Sequence, residues 1–135
     1  MLTDDLLNEA VSFHGHFGPF LILGLRASLL GVSYLGKNYF ELRATVATNP
    51  KPPRSCFIDG VQFASGCTVG KGNIEIKTSE EVSVEFTRGE RRISLMVRDD
   101  VLKALDHLIS EEQVENSGKE ILQKTDDQLF LINKY

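Results

Sequence analysis

Apolar positions recur along the chain with two periods, and the changeover between them outlines the fold. Thr3 stands as an N-cap before Asp4 and Asp5, and Leu6, Leu7, Ala10 and Val11 follow at helical spacing, predicting a first helix that closes at His14-Gly15-His16. Gly18-Pro19 opens a second helix, because proline fits the first helical position; it carries Phe20 to Leu30 and should stop near Gly31. Apolar on all sides, it is expected to be buried. From Phe40 to Thr48 the pattern alternates, with Phe40, Leu42, Ala44 and Val46 on one face, as in a half-buried strand. Asn49-Pro50-Lys51-Pro52-Pro53 must be a loop.

A short helix is expected from about Cys56 to Ala64, broken by Gly66, and the loop from Thr68 to Asn73 precedes a strand that begins at Ile74 and Ile76. Val82, Val84 and Phe86 match Ile93, Leu95 and Val97 across a hairpin turn at Arg88-Gly89. Asp99 or Asp100 should cap a helix bearing Val101, Leu105 and Leu108. Ser117 with Glu120 fits a capping box for a last short helix, and the apolar tail from Leu129 to Ile132 should dock on the body. Clustered strands with segregated helices give an α+β fold: a mainly antiparallel sheet with helices packed on it, one of them very apolar and buried. Residues 1–135 read as a single domain without internal repeats.

Composition narrows the function classes. With 41% hydrophobic and 25% charged residues the chain is ordinary globular protein, and a net charge of -4 argues against nucleic-acid binding through phosphate neutralisation. Phe17 to Leu30 is shorter than the roughly 20 residues of a membrane span, and Arg26 interrupts it, so no membrane association is expected. Two cysteines are too few for a disulfide scaffold, and the acidic amino terminus is not a secretory leader. A cytoplasmic protein with free thiols is the reading.

His14 and His16 do not share a helix face, but at a helix end, with Gly15 between them, both rings can turn to one point. A capping or surface role is the plainer alternative. Cys56 starts a predicted helix, where the helix dipole favours thiolate, and Asp59 lies one turn along as a candidate general base. Cys67 follows eleven residues later, close to three helical turns, which could return both thiols to one side. Each cysteine can equally be a small buried hydrophobe. The backbone of Gly70, Lys71, Gly72 and Asn73 could cradle an anion beside the Lys71 charge, or form a bare structural turn.

His14-Gly15-His16, Gly18-Pro19, Gly24 and Arg26, followed by Cys56-x-x-Asp59, Gln62 and Gly66-Cys67-Thr68-x-Gly70-Lys71-Gly72-Asn73, resemble the E-subunit family of formylmethanofuran dehydrogenase. The resemblance implies an α+β core, usually a homodimer, with a metal pocket whose candidate ligands are His14, His16, Cys56 and Cys67. Asp59 and Lys71 become candidate catalytic residues and Gly70, Gly72 and Asn73 candidate cofactor contacts. Zinc is the default metal for imidazole and thiolate ligands, with iron or nickel as alternatives. Gly18 replaces the family's cysteine, which removes one soft ligand. The implied role is a metal-binding accessory or small-molecule-binding protein of one-carbon, methanogenesis-type or molybdenum-enzyme metabolism, with a larger molybdenum or tungsten enzyme complex as partner. A metal-dependent hydrolase or redox enzyme, and a structural component without metal, are the alternatives.

Overall fold

The computed structural model describes residues 1–135. Helices α1 (Asp4–His14) and α2 (Pro19–Leu35) precede strand β1 (Arg43–Thr48) and helix α3 (Cys56–Ser65). Strands β2 (Ile74–Thr78), β3 (Ser83–Arg88) and β4 (Arg91–Val97) follow, then α4 (Asp99–Leu105), α5 (Glu111–Gln123), the single turn α6 (Asp126–Leu129) and β5 (Phe130–Lys134). One five-stranded sheet has the order β2-β1-β3-β4-β5. β1 and β2 are parallel, joined by the α3 crossover, and every other neighbouring pair is antiparallel. The fold is α+β.

The sheet buries one side of each inner strand. Ala44, Val46, Val84, Phe86, Ile93, Leu95 and Val97 alternate with half-exposed neighbours and form the core with α2 and Phe57 of α3. α2 touches α3, α5, β3 and β4, so it is walled in on several sides. Its one charge, Arg26, is neutralised where it lies: the guanidinium donates to the Ile121 carbonyl and to Asp126, both at 2.8 Å. α2 and α3 meet backbone to backbone at Gly24 and Gly60. A Cβ on Gly24 would collide with the Phe57 carbonyl oxygen, and one on Gly60 with that of Leu21. This contact sets where both ends of α3 lie. No helix is long and apolar enough to cross a membrane.

Several local expectations need correction: β1 begins only at Arg43 and leaves Phe40 exposed, and Arg98, not Asp99 or Asp100, is the N-cap of α4. α2 runs past Gly31 to Leu35; Gly31 is a packing residue, because any side chain there would strike the Phe86 ring. The capping box that starts α5 is Ser110 with Gln113, while Ser117 is buried mid-helix and donates to the Val114 carbonyl. The apolar tail docks on the body as expected, and does so as β5, an edge strand paired with β4.

Candidate functional site

The amino end of α3 faces the junction of α1 and α2 across a cavity of about 490 Å³. Gly15, in the left-handed conformation, ends α1 and turns the chain so that His14 and His16 both line this cavity. Cys56, first residue of α3, lines it from the other side. Asp59 is one turn into α3. His14 Nδ1–H donates to Asp59 Oδ2 at 2.6 Å, with the His14 side chain 11% exposed. A carboxylate accepting at Nδ1 leaves Nε2 with its lone pair, the arrangement that prepares a histidine to ligate.

His16 is exposed, and its ring leans over Gly18. A Cβ at position 18 would stand 3.2 Å from both Cε1 and Nδ1 of that ring. The imidazole therefore occupies the approach that a side chain at 18 would take. The opposite wall comes from residues that sequence patterning did not flag: Asn49, Lys51 and Pro52-Pro53, the apolar Leu105 and Leu108, and Arg54 with Asp106. Arg54 donates to Asp106 at 3.0 Å and to the Glu80 carbonyl at 2.7 Å, tying the start of α3 to the end of α4. The proline-rich loop was the available signal; the contribution from α4 had none. Beside the rim, Thr48 is wholly buried with its Oγ1 unpartnered.

The chemistry of the two thiols differs from the expectation for a helix start. Burial pushes Cys56 above its usual 9.0, and the neighbouring Asp59 charge adds to this, outweighing the backbone hydrogen bond that favours thiolate. Cys56 is a thiol at neutral pH. Burial likewise raises Cys67, against the lowering influence of Ser65, Lys71 and Arg43.

Cys67 does not join the cavity. Ten residues of helix span about 15 Å, so three turns carry Cys56 and Cys67 to opposite ends of α3 rather than to one side. Cys67 is fully buried in the main core, its Sγ donating to the Leu42 carbonyl at 3.4 Å. Lys71, Gly70, Gly72 and Asn73 lie at this far end too. Asn73 accepts from Thr68 N–H at 2.8 Å and donates to the Tyr39 and Leu42 carbonyls, and Gln62 accepts from Val69 N–H at 3.0 Å. Lys71 Nζ donates to Thr68 Oγ1 at 3.1 Å. The loop is a turn whose side chains satisfy its own backbone.

No three His, Cys, Asp or Glu side chains stand close enough to hold a metal ion as arranged. The donor chemistry of His14, His16 and Cys56 nonetheless suits zinc or a later transition metal, with Asp59 in the outer shell.

A family described as FmdE, molybdenum formylmethanofuran dehydrogenase operon, matches residues 13–131. The chain belongs to the FmdE family. Among solved structures, a tungsten formylmethanofuran dehydrogenase FmdE-like protein from Syntrophus aciditrophicus shares the fold, with a TM-score of 0.73 at 16% identity over 98% of this chain and 71% of that one. A probable S-adenosyl-L-methionine-binding protein of Archaeoglobus fulgidus is 37% identical over 76 residues, which are 51% of this FmdE chain and 19% of that protein. The chain thus spans about a fifth of that curated relative.

Proposed function

We propose that this FmdE-family chain is an accessory protein of a formylmethanofuran dehydrogenase-type system that binds a divalent metal and a small molecule in the cavity at the amino end of α3. The observation that carries the reading is the 2.6 Å bond from Asp59 to His14, which fixes one imidazole at the cavity wall with its other nitrogen free. His14, His16 and Cys56 would hold the metal, zinc before iron or nickel. A metal held by these residues would supply Lewis acidity at the cavity wall. The volume of about 490 Å³ lies within the roughly 300–1,000 Å³ range of small-molecule sites. Polar Asn49 and Lys51 and apolar Leu105 and Leu108 suit a ligand of mixed character, and the name of the Archaeoglobus relative makes S-adenosyl-L-methionine the first probe. Burial and the Asp59 charge favour the Cys56 thiol in the metal-free chain, so taking up a metal there would release its proton, because the thiolate is the ligand.

The test is to purify the untagged chain and measure bound zinc, iron and nickel, then titrate S-adenosyl-L-methionine calorimetrically, for wild type and His14→Ala. Metal near one equivalent, lost in the folded variant, supports the reading. A metal-free wild type that takes up no added zinc would overturn its metal half, and no heat with the nucleoside would remove that ligand.

A further inference from the structure

The charges that line the α3 cavity do not balance. Arg54 is neutralised by Asp106 at 3.0 Å, and no other carboxylate reaches the lining. Lys51 is left over: it faces the cavity and takes part in none of the chain's five ion pairs. An exposed lysine is commonly no more than a solvated charge. Here a second donor stands beside it. Asn49 Oδ1 accepts from Lys51 N–H at 2.9 Å, which pins the amide to the loop and leaves Nδ2 with no acceptor in the chain. Pro50, Pro52 and Pro53 carry no N–H, so recognition by this loop falls mainly to its two polar side chains. The same cavity has apolar lining from Leu105, Leu108 and Val114. Leu108 and Val114 are only half-buried, so apolar surface remains open to whatever enters.

We propose that the small molecule of this cavity is an amphipathic anion, with a carboxylate or phosphate head group held by Lys51 Nζ and Asn49 Nδ2 and an apolar body on Leu105, Leu108 and Val114. The inference rests on the reading that the cavity takes a small molecule, and adds the class of that molecule. Lys51 and Asn49 both donate to the head-group oxygens, and hydrogen bonds to a charged acceptor are the stronger kind. A cationic ligand would meet the Lys51 ammonium and find no free carboxylate, because Asp106 is taken by Arg54 and Asp59 by His14. A neutral ligand of the same shape would leave the Lys51 charge unanswered. A divalent metal on the histidine wall would add positive charge to the cavity, which favours the same sign of ligand. The body supplies the second half of the recognition: it covers Leu108 and Val114, and an inorganic anion would not.

The test is a nuclear magnetic resonance titration of the untagged whole chain with hexanoate, hexyl phosphate, hexanol and hexylamine, which share one chain and differ in head group. Hexanoate or hexyl phosphate should shift the Leu105 and Leu108 methyl signals together with the Asn49 side-chain amide. The tighter of the two names the head group, and it should bind about tenfold or more tighter than hexanol or hexylamine. Lys51→Met keeps the aliphatic stem and removes the charge. Asn49→Asp keeps the acceptor for Lys51 N–H and removes the free donor. Each variant, with folding confirmed by circular dichroism, should lose about tenfold in affinity for that anion, while Lys51→Arg should retain it. Hexanol or hexylamine binding at these signals as tightly as the anions, or anion affinity unmoved by Lys51→Met, would overturn the inference and leave the cavity a small-molecule site. If no probe shifts these signals, the inference falls, and the small-molecule half of the proposed function falls with it.

Discussion

The two ends of α3 carry the same kind of residue into opposite circumstances. At the amino end Cys56 is half-buried on an open cavity beside His14, His16 and Asp59, and the Asp59–His14 bond joins α3 to α1. At the carboxyl end Cys67 is sealed in the core, and Ser65, Gln62, Thr68 and Asn73 commit their hydrogen bonds to the turn itself. One end keeps donors free for something outside the chain; the other has used its own. The residues of one motif line a cavity at one end and lock a turn at the other.

Thiol labelling should break this comparison most visibly if it is wrong. In the native protein Cys56 should react with a small maleimide on the order of 10³-fold faster than Cys67, whose exposure requires opening of the core; equal rates would contradict the placement of Cys67. Gly60→Ala is expected to cost about 2–4 kcal/mol in denaturant unfolding, because a methyl group must displace the Leu21 backbone. It should disturb both ends at once, weakening metal binding as well. Asn73→Ala strips three hydrogen bonds from buried or half-buried backbone groups and should cost about 1–3 kcal/mol, with metal binding intact; a loss of binding without unfolding would join the two ends functionally. The smallest effect is in alkaline solution. Since Cys67 is raised by burial above 9.0, the unfolded chain ionises first, so this thiol's contribution is complete below that value and is lost as pH rises through the folded one. Cys67→Ala should therefore show a shallower decline in stability above pH 9 than wild type.

Much of this layout was legible in the residues. Gly18-Pro19 marked the start of α2, alternation marked β3 and β4, and His14, His16 and Cys56 were singled out and do line one cavity, with Asp59 bonded to His14. Spacing alone misled over Cys67, because periodicity says which face of a helix a residue shares and not which end of it. The parallel partnership of β1 with β2 and the Leu105–Leu108 wall come from contacts remote in sequence, where local pattern has no purchase. The Gly66–Asn73 segment could be read as cradle or turn until the hydrogen bonds of Asn73 decided for the turn.

Competition of the untagged protein against a zinc-chelating dye, run on wild type, Cys56→Ala and Cys67→Ala side by side, addresses the division directly. The account expects zinc affinity to fall by at least about tenfold in Cys56→Ala, the scale of a lost ligand or its support, and to stay within about twofold of wild type in a folded Cys67→Ala. Affinity that survives without Cys56, or that vanishes with Cys67 while the fold holds, would contradict it.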